Sequence, residues 1–339
     1  MKIMMVGDLH TGIGNDDPWL HDIIKTTFRK MVDYSKANGI TTWIQSGDWF
    51  DVRKAITHST MEFNRTVLIP MLEDAGITVY ITVGNHDLHF KNKITPNSPR
   101  EVLSQYDCVK VIDTATTVDF DGVYFDLIPW MCDQNKSEIL NHIKTSGASY
   151  CVGHWELSGY YFYKNMKSEG VSADFLKKYT RVFSGHFHTI SDGGNVSYIG
   201  TPYTITANDE NDPRGWWVFD TKTETEAFIP NDVTYHVRVV YPGESEIDVE
   251  ALRGRSVRLV ATKEDNGLTK LENAIEAVAH SLKVIRNLES TVTNETGVIE
   301  VKNALDMIYE YLDEQNLDPV ESEAVKRHAK ELFTEATSG

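Results

Sequence analysis

The chain has 339 residues, 41% of them apolar and 24% charged, the balance of a soluble globular protein with room for one large core and an appended smaller unit. Acidic residues number 50 against 33 basic ones, and the formal charge of −17 argues against a protein that grips nucleic acid by a basic surface of its own. Three cysteines (Cys108, Cys132, Cys151) with no Cys-x-x-Cys pair suit reduced thiols in a cytosolic protein, and no apolar run is long enough to cross a membrane.

The N-terminal KIMMV reads as a strand that starts at once, without a signal-peptide apolar region, and Gly7-Asp8 ends it. Asp17-Pro18 predicts a helix start, with Asp17 as N-cap and proline at the first helical position. Leu20, Ile24, Phe28 and Met31 form its apolar stripe, and Asn38-Gly39 ends it. ITTWIQ is the next strand, closed by Ser46-Gly47-Asp48. A helical stretch over 59–75 follows, with Pro70 predicting a kink or break near Ile69. ITVYITV then runs into Gly84-Asn85-His86-Asp87. Further strands are predicted at 123–128, 149–152, 181–183 and 196–199.

One pattern recurs: VGDLH, SGDWFD, VGNHD, VGHWE, SGHFH. An apolar strand ends, a glycine stands at its end, and Asp, Asn or His follows. Alternating strands and helices imply an α/β protein with helices on the faces of a sheet, and such sheets bind ligands beyond the carboxyl ends of their strands. The side chains delivered there are Asp8, His10, Asp48, Asn85, His86, His154, His186 and His188. Imidazole and carboxylate without thiolate suit divalent zinc, iron or manganese. These donors are too many for one tetrahedral site, and two metals sharing a bridging carboxylate use them well. His86 directly follows Asn85 and is poorly placed to ligate the same ion. Proton donation to a leaving oxygen is the task left to it.

Taken in order, D-x-H, G-D-x-x-D, G-N-H-D, H and G-H-x-H resemble the calcineurin-like metallophosphoesterase superfamily, across roughly 1–190. The continuation YIGTPYTITANDENDPRGWWVFD (198–220) resembles its SbcD branch, the nuclease subunits of double-strand-break repair complexes. That resemblance implies a two-sheet sandwich flanked by helices, followed by a small α/β capping domain and C-terminal helices. It also implies one metal held by Asp8, His10 and His188, another by Asn85, His154 and His186, with Asp48 bridging and His86 as general acid. Manganese is the implied metal. The implied reaction is hydrolysis of a DNA phosphodiester by hydroxide bridging the two ions, with no covalent enzyme intermediate. Some members carry a histidine where Asp51 stands here, and Asp51 is read instead as the orienter of a metal-bound histidine.

The expected boundaries are 1–232 for the nuclease domain, 233–292 for the capping domain and 298–337 for a C-terminal helical pair. HVRVVYP is read as the exit from the catalytic unit. The β-α-β unit is expected as strand 256–262, helix 268–280 and strand 282–288. The last helix opens on Asp318, Pro319 and Glu321, a capping-box arrangement. Resemblance assigns that pair to docking on an SbcC-type coiled-coil ABC ATPase, in a homodimeric complex acting on DNA in the host cytoplasm if phage-encoded. A partner also answers the charge problem, with Arg53, Lys54, Lys91 and Lys93, which closely follow the ligand loops, as local help. Two rival readings are a phosphomonoesterase or cyclic-nucleotide phosphodiesterase with the same metals, and a non-catalytic scaffold.

Overall fold

The first strand, Lys2–Val6, is apolar on both sides, and the architecture follows from that. Met4 and Val6 face one core, while Ile3 and Met5 face another. The computed structural model describes residues 1–163, 166–243, 247–287, 309, 312 and 325–330. In it two six-stranded sheets lie face to face. The first has the order Thr225–Pro230, Gly215–Asp220, Lys2–Val6, Thr42–Gln45, Thr78–Thr82, Val109–Ile112. The second has the order Ser191–Gly193, Val196–Tyr198, Arg181–Gly185, Tyr150–His154, Val123–Ile128, Thr116–Phe120. Within each, four neighbouring strands run parallel and the remaining pairings are antiparallel.

The strand and helix signals alone predicted one sheet with helices on its faces; the sandwich implied by the resemblance is what forms. The two sheets bury Ile3, Met5, Ile44, Phe125, Leu127, Val152, Phe183 and Phe219 between them. The outer faces take helices. Pro18–Asn38 lays Leu20, Ile24, Phe28 and Met31 on the first sheet, and Lys136–Thr145 lays Ile139 and Ile143 on the second. Covering both faces explains why these strands read as unbroken apolar runs.

The caps predicted for the first long helix are present. Asp17 accepts the Trp19 N–H at 2.9 Å, and Gly39 closes the helix at φ 66°. The helical stretch before Gly76 is continuous, not broken. A π-helical turn, Asn64–Leu68, widens it just ahead of Pro70, which lacks the N–H a regular turn would need. The wide turn contains Asn64, which is buried and accepts the indole N–H of Trp49 at 2.7 Å.

Downstream, His236–Tyr241 is a correction. It is not merely a lead-out but the first strand of a parallel three-stranded sheet with Ser256–Ala261 and Ser281–Arg286, crossed by the helix Asn266–Glu276. Its inward side chains Val239, Val257, Leu259, Leu268 and Ile275 form a core of their own. Trp19, at the start of the long helix, stacks on His280 at 4.3 Å between centroids and donates to the Gly254 carbonyl at 2.8 Å. The predicted C-terminal helical pair lies outside the described residues except for 309, 312 and 325–330, which are helical. All three cysteines are free, and among the described residues no helix is long and apolar enough to cross a membrane.

One buried charge holds the second sheet to its helix. Asp126 is fully buried and accepts from Thr117 and Tyr179 at 2.6 Å, Ser146 at 2.8 Å and His142 at 3.1 Å. Burial opposes its ionisation, but these donors hold the carboxyl below its ordinary value. Asp126→Asn is expected to cost roughly 2–4 kcal/mol, because an amide turns an N–H toward existing donors. The stability from a depressed carboxyl is present above its unfolded pKa and lost as pH falls through the folded one. The gap in denaturant midpoint between the two proteins should therefore close in acid. A gap that stays constant down to acid pH would show the carboxylate to be irrelevant.

Candidate metal centre

Five loops meet at the carboxyl ends of the strands. Asp8 and His10 follow Lys2–Val6, Asp48 follows Thr42–Gln45, and Asn85 and His86 follow Thr78–Thr82. The second sheet contributes His154 at the end of Tyr150–His154, and His186 and His188 beyond Arg181–Gly185. Glycines make the approach possible. A methyl on Gly84 would be driven into the Asp48 carboxylate, and one on Gly7 into the Gly200 carbonyl. The backbone is also forced where the site is built: His10, Asp48 and His186 have φ of 47°, 53° and 85°. Non-glycine residues pay strain in that region, and it is tolerated where surrounding structure over-determines the conformation.

Every predicted site residue arrives at this one place. Asp8, His10 and His188 bring donor atoms within 4.8 Å of one another, and so do Asp48, His154 and His186. Asn85 Oδ1 lies 2.8 Å from His154 Nε2 and 2.9 Å from His186 Nδ1. Asp48 joins the two groups, with Oδ2 at 3.2 Å from His154 Nε2 and 4.0 Å from His10 Nε2. His10 Nε2 and His188 Nε2 face each other at 3.2 Å. Buried lone pairs pointed at one another are the donor set of a cation site, so the residues fit a pair of divalent ions.

The far nitrogens set the tautomers. His154 Nδ1–H donates to the Ser46 carbonyl at 2.8 Å, and His86 Nδ1–H donates to the Asp51 carbonyl at 2.7 Å. A carbonyl only accepts, so in both rings Nε2 is the free nitrogen. His10 Nδ1 lies 3.1 Å from Asp51 Oδ1, in a bent contact, again leaving Nε2 for the centre. Asp51 thus touches both His10, by its carboxylate, and His86, by its backbone.

Charge is distributed unevenly. Burial raises the Asp8 carboxyl to about 7 against the pull of His154, and the Asp48 charge adds to the rise. Burial also opposes ionised Asp48, yet His154, His86 and His10 hold it far below the usual carboxylate range. Burial disfavours charged His10 and His154; the Asp51 contact for His10, and the Asp48 charge for His154, outweigh it and raise each to about 9. Burial and the neighbouring His154 push His186 down to about 3, and burial with His10 pushes His188 well below normal. At neutral pH, cations entering the centre must therefore displace protons from His10 and His154. Metal uptake should release protons, and affinity should climb as pH rises toward about 9. Calorimetric titration in two buffers of different ionisation enthalpy reads that release directly; identical heats in both would contradict it.

Two residues were missed as site residues. Asp87 is fully buried and its carboxylate accepts from Gly84 N at 2.9 Å and Phe50 N at 3.0 Å, tying two ligand loops together. Trp130, just past Val123–Ile128, puts its ring 5.2 Å from that of His186 and 5.8 Å from that of His154. The available signal was its position, which repeats the strand-end placement of the ligands.

Residues 1–190 match the family described as calcineurin-like phosphoesterase. The chain is 52% identical over 339 residues, covering 99% of itself and all of the other protein, to exonuclease subunit 1 of Enterobacteria phage T4. Among solved structures, a novel archaeal phosphodiesterase is 13% identical and covers 68% of this chain and 100% of that one, with a TM-score of 0.37. GAP50, the anchor in the inner membrane complex of Plasmodium, is 12% identical, covers 70% of this chain and 90% of that one, and gives 0.39. With the family matched over more than half its length and a full-length relative at 52% identity, this chain belongs to the calcineurin-like phosphoesterases, metal-dependent hydrolases of phosphoester bonds.

Proposed function

We propose that this protein is a DNA nuclease that uses two manganese ions and works as a subunit beside an SbcC-type coiled-coil ABC ATPase in recombination and end processing. The observation that carries the reading is the meeting of eight predicted side chains from five loops at one strained, buried centre. The 52% identical relative is named an exonuclease subunit, which supports both DNA as substrate and a partner chain.

In this reading Asp8, His10 and His188 hold one ion, and Asn85, His154 and His186 hold the other, with Asp48 between them. When bound, such a pair supplies Lewis acidity toward water and toward the phosphoryl oxygens. The chain's own residues do the rest. Ser46 and Asp51 fix the rings of His154 and His10. His86, held by the Asp51 carbonyl and with its own N–H on Asp48, gives a proton from Nε2 to the departing 3′ oxygen. The small sheet from 236 to 286 serves as the capping domain that presents DNA, and 298–337 as the docking element. Several other cations are already paired: Lys30 with Asp232, Lys177 with Asp174 and Arg181 with Asp192 and Glu226. Exposed Lys54 and Lys91 remain for phosphates.

The test is hydrolysis of linear DNA, a cyclic nucleotide and a phosphopeptide by the full chain, with and without manganese, alone and with the ATPase partner and ATP. DNA cleavage that needs manganese is expected, with little turnover of the other two. No DNA cleavage under any of these conditions would end the nuclease reading, and preferred cleavage of a cyclic nucleotide or phosphopeptide would replace it.

A further inference from the structure

Beside the second group of metal donors lies a cavity of about 320 Å³, lined among others by Trp130, Met131, His154, Trp155, Glu156 and Glu169. Its size falls at the small end of ligand pockets, roughly 300 Å³ and upward. Its chemistry is specific. Among the described residues no lysine or arginine lines it, and two carboxylates do, so a phosphate is disfavoured there. Trp130 is half-buried and is fixed by its backbone, its N–H donating to the Val83 carbonyl at 2.7 Å and its carbonyl accepting from Asn135 at 2.9 Å. Trp155 is 1% exposed and lies with its indole nitrogen against Gly153, with no hydrogen-bond partner among the described residues.

The carboxylate wall is equally fixed. The segment around Glu156 is zipped to the one around Gly170: Val171 N–H donates to the Glu156 carbonyl, and Ser158 N–H to the Val171 carbonyl, both at 2.9 Å. A methyl on Gly170 would strike that Glu156 carbonyl, so the two segments meet without room for a side chain between them. Half of the Glu156 side chain stays exposed, with Oε2 4.0 Å from His186 Nε2. The pocket therefore offers an aromatic face and an anionic acceptor within reach of the metal donors.

The geometry points to a nucleobase subsite: the base next to the scissile phosphate leaves the stack, lies on Trp130 and offers its exocyclic amino group to Glu156. This rests on the nuclease reading above and adds a preference to it. A carboxylate accepts from the amino group of cytosine or adenine, and thymine has none. Stacking on one aromatic residue is sequence-tolerant, so Trp130 supplies affinity and Glu156 supplies selection.

The experiment is calorimetric titration of the full chain, with manganese present, by dCMP, TMP and deoxyribose 5-phosphate. The expected order is dCMP tightest and deoxyribose 5-phosphate weakest. Trp130→Ala should weaken dCMP by about five- to a hundred-fold, as loss of one base stack does. Trp130→Phe should restore most of it, and Glu156→Ala should erase the difference between dCMP and TMP while leaving TMP unchanged. If Trp130→Ala does not fold, the Phe and Glu156 variants still decide. Equal binding of all three ligands by the wild type, or a dCMP preference that survives Glu156→Ala, overturns the subsite. Binding is read without turnover, so base-dependent binding by a chain that cleaves no DNA would sink the nuclease reading and keep the pocket.

Discussion

Asp48→Asn is expected to yield a folded protein that no longer retains two divalent ions and whose phosphodiesterase rate falls by at least about a thousand-fold, the scale of several kcal/mol of lost charge stabilisation. Asparagine suits the position structurally. Asp48 sits at φ 53°, and asparagine is among the few residues that adopt the left-handed region at small cost. Its amide oxygen still accepts the His86 N–H that Asp48 Oδ1 accepts at 2.7 Å. What disappears is the one charge that lies 3.2 Å from His154 Nε2 and 4.0 Å from His10 Nε2. The same charge helps to raise the carboxyls of Asp8 and Asp87, each pushed up to about 7 by burial first. Without metal the variant should melt below the parent at neutral pH, because the pairing that holds the Asp48 carboxyl far below its usual range is lost, with relief of repulsion on Asp8 and Asp87 offsetting only part of it. Metal analysis after dialysis, melting curves and rates are the measurements. Two tightly held ions in Asp48→Asn would remove Asp48 from the shared position.

Much of this centre was legible in the sequence because the chemistry imposes a local signature. Gly84, Gly7 and Gly185 allow close approach, and the polar residue after each strand has no packing reason to be there. What the sequence hid is conformational. His10, Asp48 and His186 carry positive φ without being glycine; Asp and His are enriched in that region, but the preference is too weak to single out these three positions. The partition into two sheets was hidden too. Ile44 and Trp43 are both fully buried, as are Phe183 and Val182, so neither strand says which partner sheet it belongs to. His236–Tyr241 was read as an exit because nothing local names its partner; the strand it pairs with, Ser256–Ala261, lies beyond an intervening segment. Asp87 was read only as the end of the Gly-Asn-His-Asp run, because its work, bridging Gly84 N and Phe50 N, is defined only once the two loops are adjacent.

The loops are also coupled to one another, which bears on how a single substitution is read. The Asp8 carboxylate accepts the His186 N–H at 3.0 Å, and Asp51 N–H donates to the Thr11 carbonyl at 3.1 Å. Tyr203, fully buried, donates to the Leu9 carbonyl at 2.6 Å. A variant that loosens one loop shifts ligands from another, so loss of activity alone assigns no role. A leaving-group comparison does.

His86→Gln is expected to keep both ions and to lose about 10²–10⁴ in the rate of DNA cleavage, the usual contribution of a positioned acid. The glutamine preserves a polar side chain near the Asp51 carbonyl, which His86 Nδ1–H contacts at 2.7 Å, and preserves the backbone N–H on Asp48. It carries no titratable proton. The decisive comparison is with a nucleotide p-nitrophenyl ester, whose phenolate departs without being protonated. If His86 serves as the acid, the variant should hydrolyse that ester at close to the parental rate while failing on DNA. Burial lowers the pKa of His86 against the opposing charge of Asp48, so the ring is a stronger acid than a free imidazole and its protonated fraction shrinks as pH rises. DNA cleavage by the parent should accordingly fall off on the alkaline side, and ester cleavage should not. Equal losses on both substrates would make His86 a positioning residue for the Asp48 and Asp51 loops, and the proton for the leaving oxygen would have to come from water.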